Sequence, residues 1–328
     1  MRAKIACMVS LREKVYQMFI LGTDGGGYKE ALKLGLGGVI FFTNDIKSSE
    51  QIKALIAECK DIAKFPPFIS VDQEGGRVER TENIHNGKKY LSAKYAFEKG
   101  ILEEQTKEIA LELKRYGFNL NFAPCIDVNT NPNNPIIGER AFSSKPQEVI
   151  EAERVVSKTY LDNGIIPCVK HYPGHGDANS DSHLTLPEIG LSLKEMENTH
   201  IIPFKSAAEN GIPMIMAAHL HCKCFDNAVI PTSLSKNALN YLRDKLKFEG
   251  VIISDDMIMK GVSALYAPEE ACIRGIKAGL NMFIYRNSSE EIINTIENIV
   301  KNVQNDRELK YNIDTSFEKI CSLKCKEL

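Results

Sequence analysis

The segment GVIISDD (250–256) is a short apolar run that ends in two carboxylates. It lacks the period-2 alternation of a half-buried strand, which fits a strand covered on both faces, as in a parallel sheet. Six more segments share this pattern: GGVIFF (37–42), PPFISVD (66–72), FNLNFAP (118–124), IIPCVKH (165–171), PMIMAAH (213–219) and NMFIY (281–285). Amphipathic stretches separate them at 50–64, 103–116, 146–163, 193–210 and 236–247, with Ser192 and Ser235 placed as N-caps. Alternating strands and helices build either a doubly wound sheet or a barrel. The polar residues choose between the two. Asp72, Asp127, Lys170 with His171, His219 and Asp255 each fall at the end of a different strand segment or just beyond it. A doubly wound sheet gathers its chemistry at one crevice, whereas a (β/α)8 barrel collects it from many strand ends. The expectation is an α/β fold, a single-domain TIM-type barrel over residues 1–328. A helix at 289–303 and the tail to Leu328 would close it. No fixed-period repeat, low-complexity tract or linker rich in Pro or Ser divides the chain.

Composition narrows the partners. A hydrophobic fraction of 43% and a charged fraction of 26% are ordinary globular values, and 328 residues bury a core without staples. A net charge of -2 offers no general attraction to nucleic acid or to an anionic membrane. The nine cysteines are scattered, and several sit in apolar runs, such as Cys125 in NFAPCIDV and Cys168 in IIPCVKH. They read as buried free thiols of a reducing compartment. Charges at Arg2, Lys4, Arg12, Glu13 and Lys14 break the N-terminal apolar residues into pieces too short for a secretory signal or a membrane span. A cytoplasmic protein is expected, monomeric and without membrane or nucleic-acid partners.

Two segments carry chemistry. KHYPGHGDANSDSHLTLP (170–187) follows a strand and holds three His and two Asp in eighteen residues. Pro173, Gly174 and Gly176 exclude a helix there, which leaves a polar loop over the barrel mouth. In SDDMIMKG (254–261) a buried strand delivers two carboxylates to its C-terminal end. A carboxylate so placed has a desolvating floor beneath it and open space above, which suits a nucleophile.

The first of these segments resembles the KH(F/Y)PGHGDTxxDSHxxLP signature of glycoside hydrolase family 3, in its β-N-acetylglucosaminidase branch. LREKVYQMFILG (11–22), VDQEGGRVER (71–80), NFAPCIDV (121–128), GERAFSS (138–144), AAHL (217–220) and SDDMIMKG (254–261) have counterparts in the same order. Tyr172 replaces the commoner Phe, and Ala178 stands where Thr is common. The resemblance implies a retaining glycosidase that removes terminal β-linked N-acetylglucosamine, with N-acetylglucosaminyl-anhydromuramyl compounds of cell-wall recycling as substrate. It implies Asp255 as nucleophile, His183 as general acid/base and Asp181 as the carboxylate that orients His183. It also implies Asp72, Arg80, Arg140, Lys170 and His171 as the residues that hold the sugar, and it requires neither cofactor nor metal. The chemistry is consistent: an imidazole of ordinary pKa near ~6.5 can replace the usual acid carboxyl, and a neighbouring carboxylate fixes its tautomer. Trp is absent, so a sugar ring would rest on Tyr, Phe or hydrogen bonds.

Other readings stay open. Asp255 and Asp256 could cap the following helix, and Asp256 is the more structural of the two. His183 with Asp181 could merely brace the loop, as His175 and Asp177 are expected to do. His219 is expected to support the site from behind. With a neutral His as acid/base, phosphate could replace water as acceptor, giving a phosphorylase. A metal-dependent hydrolase is the chemical rival, since His171, His175, Asp177, Asp181 and His183 are all ligand types, as are His219, His221, Cys222 and Cys224. Pro and Gly disrupt the His171–His175 spacing, however, and Cys-x-Cys is not the usual zinc hook. The run from Asp127 to Asn133 mimics a calcium loop but has Pro132 and Gly138 where Gly and Glu are needed. Gly25-Gly-Gly27 fits no phosphate-binding spacing and reads as a turn. Arg77 could be a surface charge, while Arg80 is expected to face the site.

Overall fold

The computed structural model describes residues 9–85, 88–179 and 185–328. Its strands are β1 (Phe19–Asp24), β2 (Gly38–Phe41), β3 (Phe68–Val71), β4 (Leu120–Asn121), β5 (Ile166–Tyr172), β6 (Glu188–Ile189), β7 (Met214–Ala217), β8 (His221–Cys222), β9 (Val251–Asp256) and β10 (Met282–Asn287). Eight of them close a parallel barrel in the order β1-β2-β3-β4-β5-β7-β9-β10, with β10 paired back onto β1. The short strands β6 and β8 pair with each other beside it. The helices are α1 (Leu11–Gln17), α2 (Tyr28–Leu34), α3 (Ser49–Ile62), α4 (Ala93–Glu98), α5 (Leu102–Tyr116), α6 (Pro146–Asp162), α7 (Leu193–Thr199), α8 (Ile202–Glu209), α9 (Lys236–Asn240), α10 (Lys260–Ser263), α11 (Pro268–Ala278), α12 (Glu290–Asn302) and α13 (Arg307–Glu327). This is the TIM-type barrel that the strand-end pattern leads one to expect.

The continuous apolar runs are the barrel wall. Ile20, Val39, Ile69, Val169, Ile215, Ile252 and Phe283 are all fully buried. Each such side chain contributes roughly 1.5–3 kcal/mol relative to exposure. Helices cover the outer face through apolar stripes, as α12 does with Ile292, Ile296 and Ile299. Gly38 lets β2 approach β3, since a Cβ there would stand 2.5 Å from the Phe68 carbonyl oxygen. Ser192 and Ser235 cap α7 and α9 as expected, accepting from the amides of Glu195 and Ala238.

Three elements depart from the expectation. β1 is missing from the strand segments read above, because FILG follows α1 without a turn signal and looks like its continuation. Pairing decides the matter: Ile20 registers with Ile284 of β10 on one side and Gly38 of β2 on the other. The single helix expected at 193–210 is two, with Pro203 in the first turn of α8, where its missing N–H costs nothing. The helix expected at 236–247 stops at Asn240 and continues as a π-type turn through Lys245. Among the described residues, the cysteines are free thiols and no helix is long and apolar enough to cross a membrane.

The N-terminal end of the barrel is closed by α13, which inserts Lys324. Its ammonium donates to Gln17 Oε1 at 2.9 Å and to the Gly37 carbonyl at 2.8 Å, and lies 4.7 Å from the Phe68 ring centre. Burial pulls this group down from its ordinary 10.5 to about 7. Between those values the unfolded chain holds a proton that the folded chain has released, so stability rises with pH across that window. Below it both states are charged and the slope vanishes. Replacing Lys324 by Met removes the term. The unfolding free energy of the wild type relative to Lys324→Met is therefore expected to increase from pH 7 to pH 9.5, as read from urea melts. A flat difference would show that Lys324 does not titrate in this range.

Candidate active site

Six of the eight residues singled out above line one cavity of about 310 Å³ at the C-terminal ends of the strands. Asp72 follows β3, Arg80 lies in the loop after it, Arg140 ends a single helical turn in the loop after β4, Lys170 and His171 belong to β5, and Asp255 belongs to β9. Asp181 and His183 lie outside the described residues.

A chain of buried charges runs along the wall. Lys170 Nζ donates to Asp72 Oδ1 and also meets Glu74 Oε1, each at 2.6 Å. Arg140 grips Glu74 with two parallel bonds, Nε to Oε2 at 2.9 Å and Nη2 to Oε1 at 2.8 Å. Burial alone would push the Glu74 carboxyl up, but Arg140 and Lys170 more than offset it and hold the group well below the carboxylate range. Side-chain exposure is 2% for Lys170 and 4% for Glu74 but 19% for Asp72. Asp72 is thus the member that reaches the cavity, and among the described residues its Oδ2 has no partner. Lys170 spends two of its three N–H donors on carboxylates, leaving one for a ligand.

A second set of bonds fixes β5. Asp127 Oδ2 accepts from His171 Nδ1 at 2.7 Å, and Oδ1 accepts from the His175 amide at 2.6 Å. Arg140 Nη2 stands 3.3 Å from His171 Nε2. The His171 ring thus lies between a carboxylate and a guanidinium, with Nδ1 facing Asp127 and Nε2 facing Arg140. Burial opposes ionisation of Asp127, yet these donors hold its carboxyl well below the usual range. Burial pushes His175 down to about 4. The segment after β4, which fails as a calcium loop in sequence, supports the histidine loop. Asn134 Nδ2 donates to the His175 carbonyl at 2.8 Å, and Asn131 Nδ2 donates to Asn179 Oδ1 at 2.8 Å.

Asp255 sits partly open to the cavity, its Oδ1 accepting from the Asp256 amide at 2.7 Å. Burial would raise it, but His171, His219, that amide and Lys170 bring it down to about 2. It is therefore ionised throughout the neutral range. Asp256 points away, into a pair with Arg286, and accepts from the Ile258 amide at 3.3 Å. His219 braces the turn from behind, with Nδ1 2.8 Å from Ser233 Oγ and Nε2 3.1 Å from the Asp256 carbonyl oxygen.

Sequence reasoning passed over Glu74 and the anchoring role of Asp127. Glu74 could have been inferred, since cations gathered at one buried subsite call for anions beside them. Arg77, read as a possible surface charge, lines the cavity and binds the Ile136 carbonyl. Among the described residues, Cys125, Asp127 and His171 are the group whose potential metal-ligand atoms gather within 4.8 Å. A cation there would have to break the His171–Asp127 bond beside the Arg140 guanidinium, so the trio is better suited to hydrogen bonding than to a metal.

Residues 10–323 match the glycosyl hydrolase family 3 N terminal domain. The chain is 33% identical over 261 residues to a protein named beta-hexosaminidase from Neisseria meningitidis, covering 77% of this chain and 72% of that one. It is 32% identical over 269 residues to beta-hexosaminidase A of Pseudoalteromonas piscicida, covering 75% of this chain but only 45% of the other. Its fold is similar to that of a family 3 beta-N-acetylglucosaminidase from a Paenibacillus species. The TM-score there is 0.91 and the identity 29%, over 97% of this chain and 63% of that one.

Proposed function

The chain belongs to glycosyl hydrolase family 3, and from that premise we propose that it is a retaining β-N-acetylglucosaminidase acting on terminal, non-reducing β-linked N-acetylglucosamine. The observation that carries the reading is Asp255, an ionised carboxylate partly open at the floor of a cavity walled by sugar-binding donors and acceptors. Asp72, Lys170, Arg140 and His171 offer a fixed array to sugar hydroxyls and cannot relax to suit a ligand without them.

In the proposed first step the Asp255 carboxylate attacks the anomeric carbon while His183 gives its proton to the departing glycosidic oxygen. The bond to the aglycone breaks and an ester to Asp255 forms. In the second, His183 takes a proton from water, the water oxygen attacks the same carbon, and Asp255 leaves as a carboxylate. Two inversions retain the β configuration. Asp181 would hold His183 in the required tautomer. The likeness to named beta-hexosaminidases supports the sugar class. The same reading makes N-acetylglucosaminyl-anhydromuramyl compounds of cell-wall recycling the physiological substrate, handled by a monomer in the cytoplasm.

The test compares 4-nitrophenyl β-N-acetylglucosaminide with the β-glucoside. The former should be cleaved with at least about 10²-fold higher kcat/KM, releasing free N-acetylglucosamine even in phosphate buffer. Equal rates, or release of the sugar 1-phosphate, would overturn the assignment. His183→Ala should slow substrates with poor leaving groups by about 10²–10⁴-fold and activated aryl glycosides far less. Equal losses on both would remove His183 from the role of acid.

A further inference from the structure

The loop between β3 and α4 carries Asp72, Arg77 and Arg80 to the cavity. Arg80 differs from its cationic neighbours. Lys170 and Arg140 are held by carboxylates, and Arg77 by a carbonyl. Among the described residues the Arg80 guanidinium has no carboxylate partner. It lies 6.0 Å from the Phe42 ring centre, and its Nε is buried without a hydrogen-bond partner. The direction of this side chain therefore depends on the backbone that carries it.

That backbone is fastened by a buried polar cluster. Gln73 Oε1 accepts from the amides of Arg80 at 2.8 Å and Thr81 at 3.1 Å. Gln73 is itself clamped by Asn121 of β4, which bonds its amide and its carbonyl. The fully buried Thr81 places its hydroxyl 2.7 Å from His85 Nε2 and 3.0 Å from Glu112 Oε1. The other oxygen of the same carboxylate, Glu112 Oε2, stands 3.1 Å from His85 Nδ1, a close contact without hydrogen-bond geometry. Glu79 Oε1 lies 3.4 Å from His85 Nε2, and the Tyr90 ring packs against the imidazole at 5.0 Å between centres. A hydroxyl, an imidazole and a carboxylate in this order resemble a nucleophile triad. Thr81 is fully buried, however, so no substrate reaches its hydroxyl. What it does is join the residue after Arg80 to α5, which carries Glu112.

We propose that the Thr81–His85–Glu112 linkage is a positioning device for the sugar-binding subsite, acting on the substrate through Arg80. The proposal rests on the reading of the cavity as an N-acetylglucosaminide site. Arg80 contacts the sugar in ground state and transition state alike, so loosening its anchor weakens binding and leaves the chemical step alone.

The experiment measures kcat and KM on 4-nitrophenyl β-N-acetylglucosaminide for His85→Gln and Glu112→Gln, each alone and combined with Arg80→Ala. Loss of one hydrogen bond of the anchor corresponds to about a 2- to 13-fold rise in KM, with kcat within about twofold. In the Arg80→Ala background the same changes should have little further effect, because the residue they position is gone. Thr81→Val gives a third route to the same result should a polar replacement at 85 fail to fold. A KM penalty that persists undiminished without Arg80, or a loss confined to kcat, overturns the proposal. An unchanged KM for Arg80→Ala overturns it too, while leaving the nucleophile assignment standing. Absence of any N-acetylglucosaminide cleavage by the wild type would instead mark failure of the functional reading beneath it.

Discussion

Asp255→Ala is expected to lower kcat on 4-nitrophenyl β-N-acetylglucosaminide by about 10⁴-fold or more, with the substrate still bound. The argument starts from electrostatics. The Asp255 carboxyl is drawn down to about 2 despite burial, so it is ionised at neutral pH, and it opens into the cavity, where its neighbour Asp256 does not. Asp256 is committed to Arg286 and to backbone amides. Asp256 is therefore not placed to take over. Deleting the side chain leaves space for a small anion, so added azide is expected to restore turnover of an activated aryl glycoside. Azide would displace the nitrophenolate in a single inversion and give the α-glycosyl azide. A residual rate within tenfold of wild type, or a β-azide product, would remove Asp255 from the nucleophile position.

Glu74→Ala should have the largest effect on stability. Glu74 is 4% exposed and neutralises both Arg140 and Lys170, which are themselves buried. Removing one partner of a buried ionic cluster leaves charge uncompensated, at a cost of about 3–5 kcal/mol. Asp72 still accompanies Lys170, so the loss falls mainly on Arg140. Guanidinium melts should show the destabilisation, and sugar affinity should fall with it because Arg140 and Lys170 lose their common anchor. Glu74→Gln keeps the shape and two of the contacts, and should be less severe on both counts. Wild-type stability for Glu74→Ala would mean that the two cations find other partners.

The strand-end logic reads well in this chain because each barrel strand is a short apolar run closed by a polar residue. GVIISDD and IIPCVKH place Asp255, Lys170 and His171 at one end of the barrel. β1 was illegible for the opposite reason: FILG has no polar punctuation between it and α1, and only its two neighbours, β10 and β2, make it a strand. Glu74 was hidden by its setting. In DQEGGR it looks like one more loop carboxylate, and what makes it central is the arrival of Arg140, sixty-six residues later in the chain, at 2.8 Å. Asp127 was visible as a strand-end acid, yet its task, holding His171 and the His175 amide, depends on the approach of β5 to the segment after β4.

Local order of apolar and polar residues was enough to determine the barrel, the end at which its chemistry gathers, and the residue types found there, since burial on both faces and strand-end exposure are properties of short segments. Which carboxylate pairs with which cation, which of Asp255 and Asp256 looks into the cavity, and what braces Arg80 were decided only by the closed structure. Those outcomes turn on distances of about 3 Å between groups tens of residues apart, and a charge buried at such a distance is governed by the neighbour it meets in space rather than by the one beside it in the chain.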